Sequence, residues 1–185
     1  MGNSLTSHNG MVSIVLSNMK DSSYRFSKTS LLARAVQRGN YPAVKWLLRR
    51  GAKVNSRTHL PFMEAVKTGN EDMVELLLFW GASVHIRGER NETPLHTAVR
   101  HGHDYIVELL LDKGANPNAC NDEHWTPLHV AMIEQPHNLN TIDALLQANA
   151  NVDIQDKKGH SPFSICFTKG FPDQTRELVL SYFLI

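Results

Sequence analysis

The 185-residue sequence predicts an all-α solenoid, in which pairs of short helices stack side by side and hairpin loops project between them. Two observations predict this fold. The string Thr-Pro-Leu-His at 93–96 recurs 33 residues later at 126–129. The pair Gly81-Ala82 recurs at the same spacing as Gly114-Ala115. A period of this length is typical of stacked helix–loop units, each too small to bury its apolar face alone.

The first helix of each unit has a recognisable beginning and an apolar face. Thr93 can accept a backbone N–H as the N-cap, and Pro94 suits the first helical position, where no N–H is needed. Leu95, Ala98 and Val99 follow at helical spacing and form one apolar stripe. The sequence therefore predicts that the first helix begins at the proline and buries this stripe.

The second helix lies between two glycines. Gly102 is expected to end the first helix, and Gly114 to supply the left-handed residue that ends the second. Between them, Ile106, Leu109 and Leu110 form the second predicted stripe. Neither helix reaches the roughly 12–15 residues needed for stability alone in water. Each unit must therefore pack on its neighbours.

These motifs resemble the ankyrin repeat family. The resemblance rests on the two Thr-Pro-Leu-His strings, on Ala98 and Ala131, and on a run of the form LLL-x-x-GA-x-x-N that ends at Asn118. It implies an ankyrin-repeat solenoid over residues 30–185, with four units and a degenerate fifth. Residues 1–29 would form a leader, in which 11–16 could be a short helix that caps the first unit.

Departures from the repeat pattern make local predictions. The first unit has Ser30 where the third and fourth units have threonine, so Ser30 is expected to cap its first helix. The second unit has Leu60 at this position and loses the cap. The loop between these two units is three residues shorter than the next two. Two inserted residues around 135–138 should distort a turn in the fourth unit. The apolar end at 182–185 either folds back or is covered by another protein.

Histidine and cysteine offer no clear catalytic or metal site. The resemblance implies that His96 and His129 hydrogen-bond between neighbouring loops, and no set of converging metal ligands is apparent around His101. Cys120 and Cys166 form neither a CxxC motif nor a disulfide framework, which fits a reducing compartment. No sequence motif of a serine hydrolase, a dinucleotide-binding enzyme, a nucleoside triphosphatase or a zinc protease is present. We therefore expect no enzyme, cofactor, metal or small-molecule substrate.

A protein partner is the function that the resemblance implies. Partners of ankyrin repeats usually lie against the hairpin loops and first helices, on the concave face. Counting from the Thr-Pro-Leu-His strings gives the candidate partner-binding residues Arg38, Lys67, Arg87, Arg90, Glu92, Arg100, His101, Asp122, Glu123, Trp125, Glu134, Lys157 and Lys158. The aromatic ring of Trp125 could anchor a partner or pack on its own loop, and the sequence leaves both open.

Charge is unevenly distributed along the chain although the formal net charge is +1. Residues 22–63 contain nine basic and no acidic residues, whereas 64–185 contain nine basic and 17 acidic residues. The balanced total argues against a nucleic-acid partner. The positive N-terminal end could instead orient the molecule on a charged surface.

The N-terminus suggests an alternative function. The sequence Met-Gly-x-x-x-Thr at 1–6 matches the pattern for myristoylation of Gly2. One acyl chain holds a membrane weakly, and a basic patch is the usual second signal.

The main hypothesis is a non-enzymatic adaptor, inhibitor or substrate-recognition module. The alternative is an N-myristoylated scaffold at an anionic membrane surface. Neither a secretory signal nor a spanning segment is apparent, so the expected location is cytoplasmic, with the nucleus left open.

Overall fold

The computed structural model describes residues 27–56, 60–168 and 170–182, and these ranges contain ten α-helices and no strand. In chain order the helices are α1 Lys28–Gln37, α2 Tyr41–Arg49, α3 Pro61–Thr68, α4 Glu71–Phe79, α5 Pro94–Arg100, α6 Asp104–Asp112, α7 Pro127–Glu134, α8 Leu139–Gln147, α9 Pro162–Cys166 and α10 Asp173–Ser181. Successive helices pair into five units, which confirms the predicted all-α solenoid. The predictions for Gly2 and for the capping helix at 11–16 lie outside the described ranges, as does the apolar end at 182–185 apart from Tyr182, whose hydroxyl donates to Asp143 at 2.6 Å.

The helices form two rows that share one apolar core. The first helices α1, α3, α5, α7 and α9 pack on one another in order, and the second helices α4, α6, α8 and α10 do the same. Leu95, Ala98 and Val99 are fully buried, as predicted. On α6 the buried face is rotated from the predicted one, because Val107 is buried and Leu109 lies at the edge of the core. The reason is that α6 packs against α5 and against both neighbouring second helices.

The predicted caps of the third unit are present. The Thr93 hydroxyl accepts a hydrogen bond from the backbone N–H of His96, and the His96 ring accepts one from the N–H of Thr93. This reciprocal arrangement satisfies two N–H groups that the helix itself leaves without partners. Gly102 and Gly114 have φ values of 68° and 81°, so each adopts the left-handed conformation expected after its helix.

The first unit begins earlier than predicted. The cap of α1 is Ser27, whose hydroxyl accepts the backbone N–H of Ser30 at 3.1 Å, so the prediction that Ser30 is the cap was wrong. The first unit lacks the proline that fixes the start of the other first helices. Leu31 occupies that position, and its N–H donates to the carbonyl of Ser27 at 3.1 Å, a bond that proline cannot make. The helix therefore extends by one more turn.

This shifted cap gives a matched pair of substitutions. Ser27→Ala is expected to lower the free energy of unfolding by about 1 kcal/mol, because it removes the side-chain cap of α1. Ser30→Ala should change it by less than about 0.5 kcal/mol, since Ser30 lies inside the helix, where alanine is favoured. Urea denaturation followed by circular dichroism measures both. Equal losses for the two variants would contradict the cap assignment.

Two further departures from the repeat pattern are confirmed. Leu60 precedes α3 with a φ of 38°, and no side chain caps that helix. In the fourth unit, Gln135 follows α7 with φ −133° and ψ 47°, whereas the corresponding turns of other units place glycine in the left-handed region. Asn138 then caps α8 by accepting the N–H of Thr141 at 3.2 Å. The inserted residues therefore change the turn and leave the helix pair intact.

The three loops that follow the second, third and fourth units are hairpins joined to one another, and we refer to them as fingers. Three successive fingers are closed by backbone bonds across their tips, from Gly88 N to Glu92 O, from Asn121 N to Trp125 O and from Asp156 N to His160 O, at 2.8–2.9 Å. Neighbouring fingers are bridged by backbone bonds from Asp122 to Arg90 and from Lys157 to Glu123. The fingers therefore form a continuous layer beside the first helices.

Among the described residues, no helix has the length and apolar character needed to cross a membrane.

Candidate protein-binding surface

An open cleft of about 460 Å³ lies between the second and third units, where the first helices meet the fingers. Its lining residues come from α3, α5 and the finger before α5, and they are Leu60, Met63, Glu64, Lys67, Gly88, Glu89, Arg90, Glu92, Thr97, Arg100 and His101. Five of these, Lys67, Arg90, Glu92, Arg100 and His101, are among the predicted partner-binding residues. The structure thus brings five residues of the predicted set into one cleft.

The apolar part of the cleft was missed by the sequence prediction. Met63 occupies the position of the histidine in Thr-Pro-Leu-His, and it lines the cleft together with Leu60. Gly88 leaves room for it, because a Cβ at this glycine would lie 2.9 Å from the terminal methyl carbon of Met63. The departure of the second unit from the common motif was the signal that could have identified these residues.

Three of the predicted contact residues, Glu92, Arg100 and Glu134, form ion pairs with one another within the protein. Arg100 pairs with Glu92 at 2.6 Å through one terminal nitrogen and with Glu134 through the other. Glu92 is only 8% exposed. Burial alone would lower the pKa of Arg100, but the two carboxylates more than offset it and raise that pKa. Removing Arg100 would leave Glu92 buried without its cation, so Arg100 and Glu92 have a structural role.

Trp125 packs within the protein. Its side chain is half-buried, and its indole N–H donates to the carboxylate of Asp156 at 3.2 Å. Asp156 belongs to the next finger and also accepts backbone N–H bonds from Lys158 and His160. The sequence left open whether Trp125 anchors a partner or packs on its own finger. In the structure its ring packs against the core and bonds the following finger.

The remaining predicted residues are exposed but do not form one site. Arg87 donates from one terminal nitrogen to the carbonyls of Asn91 at 2.8 Å and Cys120 at 2.9 Å, so it joins two fingers. Asp122, Glu123, Lys157 and Lys158 are exposed on the later fingers, Glu134 is exposed at the end of α7, and Arg38 is exposed at the end of α1. Arg38 and the four residues on the later fingers do not line the cleft between the second and third units.

The histidines of the two repeated motifs bridge successive units, as the resemblance implied. His96 bonds through Nε2 to the carbonyl of Trp125 at 2.9 Å, and His129 bonds to the carbonyl of His160 at 3.1 Å. Burial lowers the pKa of His96 to about 4 and also lowers the pKa of His129. Both rings are therefore neutral at pH 7.

The two cysteines and His101 are the other candidate reactive groups. Cys166 is fully buried in the core, where burial raises the pKa of its thiol to about 11. Burial also raises the pKa of Cys120. His101 stacks on His103 at a ring-centre distance of 5.9 Å. In the parts of the chain that the structure describes, no three His, Cys, Asp or Glu side chains are grouped as metal ligands.

A comparison with known protein families agrees with the helix pairs and hairpin loops of this structure. A family model described as ankyrin repeats in three copies matches residues 5–88 and 62–157, which together span most of the chain. The sequence matches no curated protein closely enough to identify a relative. With its 33-residue period, its capped helix pairs and its bridging histidines, this chain belongs to the ankyrin repeat family.

Proposed function

We propose that this protein binds another protein through the cleft between its second and third units, and that it acts without catalysis as an adaptor, inhibitor or substrate-recognition module. Ankyrin repeats are protein–protein interaction modules. The observation that carries the proposal is the cleft itself, which combines an apolar part at Leu60 and Met63 with the exposed basic residues Lys67 and Arg90 on its rim. Neither basic side chain forms an ion pair with another described residue.

This combination specifies the kind of segment that fits. An apolar side chain of the partner would contact Leu60 and Met63, and a carboxylate beside it would meet Lys67 and Arg90. Arg100 already has two carboxylate partners, so it contributes by joining α5 to Glu92 of the preceding finger on one side of the cleft. Binding of this kind needs no cofactor and no metal.

The test compares two charge reversals of equal size. Lys67→Glu with Arg90→Glu alters the cleft, and Lys45→Glu with Arg49→Glu alters exposed basic positions on α2, outside the cleft. Affinity purification from cells followed by quantitative mass spectrometry should show at least tenfold less of the main bound protein for the cleft variant and an unchanged amount for the control. Equal recovery by both variants and the wild type would refute the cleft as the binding site.

A second candidate function has its own supporting observation. Among described residues 27–56 there are seven basic side chains and no acidic one, namely Lys28, Arg34, Arg38, Lys45, Arg49, Arg50 and Lys53. Together with a myristoyl group on Gly2, this end would hold an N-myristoylated scaffold at an anionic cytoplasmic membrane surface. Co-sedimentation with phosphatidylserine vesicles distinguishes this candidate. It predicts binding that high salt weakens and that Gly2→Ala abolishes in protein from cells.

A further inference from the structure

The row of second helices presents a second surface, distinct from the cleft. Within their bounds α4, α6 and α8 contain no Lys or Arg, and they carry seven carboxylates, Glu71, Asp72, Glu75, Asp104, Glu108, Asp112 and Asp143. Some of these are bonded internally. The hydroxyl of Tyr105 donates to Glu75, and Asp104 accepts bonds from Asn138 and Thr141. Glu71, Asp72, Glu108 and Asp112 are exposed.

Two open grooves run between these helices, each of about 580 Å³. The first lies between α4 and α6 and has the apolar residues Leu78, Phe79 and Leu109 in its lining, with Lys113 at one end. The second lies between α6 and α8, and its charged lining residues are Glu108, Asp112 and Asp143. A groove with apolar lining residues and a groove with acidic ones therefore lie on the two sides of α6.

Phe79 distinguishes the first groove from the rest of the surface. Its side chain is 85% exposed, and its ring touches Trp80 edge-on at a centre distance of 6.4 Å. Phe79 is the last residue of α4, and the last residues of α2, α6 and α8 are Arg49, Asp112 and Gln147. The repeat fold therefore places a charged or polar residue here in three other units and does not require an aromatic ring.

We propose that the surface formed by α4, α6 and α8 binds a basic amphipathic helix of another protein. The apolar stripe of that helix would cover Phe79, Leu78 and Leu109, because the transfer of exposed apolar side chains out of water is favourable. Its Lys and Arg side chains would meet Glu108 and Asp112, where opposite charge sets the orientation of the bound segment. A helix lying along a groove between two helices is an established way to recognise such a segment.

The experiment uses a defined probe and two variants. The probe is a fluorescein-labelled peptide of 15 residues with Leu and Lys at amphipathic helical spacing, followed by fluorescence anisotropy at low and at high salt. We expect the wild type to bind it, and Phe79→Gln to bind at least tenfold more weakly, since glutamine is the residue that the fourth unit has at this position. The pair Glu108→Lys and Asp112→Lys should also weaken binding at least tenfold and reduce its dependence on salt.

The controls separate this surface from the cleft and from nonspecific attraction. The cleft variant with Lys67→Glu and Arg90→Glu should bind the probe like the wild type, and a loss there would overturn the proposal. Equal binding of a scrambled peptide with the same composition, or equal binding by Phe79→Gln, would show that charge alone accounts for the signal and would also overturn it. Self-association of the wild type in light scattering without peptide would mean that a second copy occupies the surface. This outcome would also overturn the proposal.

Discussion

Lowering the pH from 7 to 4.5 is expected to reduce the free energy of unfolding by about 2–3 kcal/mol through His96 alone. Burial holds the pKa of this ring at about 4 in the folded protein, against 6.5 for an ordinary histidine. Between these two values the unfolded chain binds more protons than the folded one. The contribution of His96 to the free energy of unfolding is therefore fully present above pH 6.5 and is lost progressively as the pH falls toward 4.

The hydrogen bonds of His96 explain why protonation is costly. Its Nδ1 accepts from the N–H of Thr93 and lies 2.7 Å from the Thr93 hydroxyl, while Nε2 lies 2.9 Å from the carbonyl of Trp125. A proton on Nδ1 would face the Thr93 N–H. Nearby Glu92 favours the charged ring, whereas Arg87 and Arg100 oppose it, and burial is the largest effect.

Urea denaturation at several pH values between 7.5 and 4.5 measures this contribution. His96→Gln keeps an amide that can donate and accept hydrogen bonds but removes the titrating ring. The variant should therefore lose less stability on acidification than the wild type, by about the amount expected for His96. The carboxylates are common to both proteins and cancel in the difference. The same pH dependence in the two proteins would contradict the assignment. His129, whose pKa is also lowered by burial, should behave in the same direction.

Phe62→Ala is expected to lower the free energy of unfolding by about 3–5 kcal/mol. Phe62 is fully buried and lies at the place that Leu95 and Leu128 occupy in the following units. The truncation leaves a cavity between α3 and its neighbours as well as removing apolar contact area. Since domains of this size are typically stable by only about 5–15 kcal/mol, such a loss is a large fraction of the total.

The same unit provides the control for this prediction. Phe79 is the same residue type but is 85% exposed, so Phe79→Ala should change stability by no more than about 0.5 kcal/mol. Both variants can be compared by thermal and urea unfolding under identical conditions. A similar loss for the two would mean that burial in the helix pairs does not determine the stability of this unit.

The sequence was most informative where a residue acts on its own neighbours in the chain. Thr93, Pro94 and Gly102 set the beginning and end of α5 through the hydrogen bonds and backbone angles available to each residue type. For the same reason the lost cap at Leu60 and the altered turn at Gln135 were predictable. The error at Ser30 was also local, because the absence of proline at Leu31 permits an additional turn of helix.

The candidate site was predicted only in part. Lys67, Arg90 and His101 do line the cleft, because their positions follow from the repeat. Counting along the repeat could not show that Glu92 is buried or that Arg100 is occupied by two carboxylates. Glu134, one of those partners, is 34 residues away in the next unit. Trp125 likewise bonds Asp156 in the following finger, so its availability depends on how two fingers meet.

The residue pattern by itself determined the repeat length and the helix pairs, because local backbone preferences and apolar spacing act within one unit. The bridging role of His96 and His129 was implied by the resemblance to the ankyrin repeat family. Tertiary structure alone decided which charged side chains are neutralised and where open surface remains. Those properties depend on contacts between units about 33 residues apart. The cleft at Met63 and the exposed ring of Phe79 exist because neighbouring units leave space beside them.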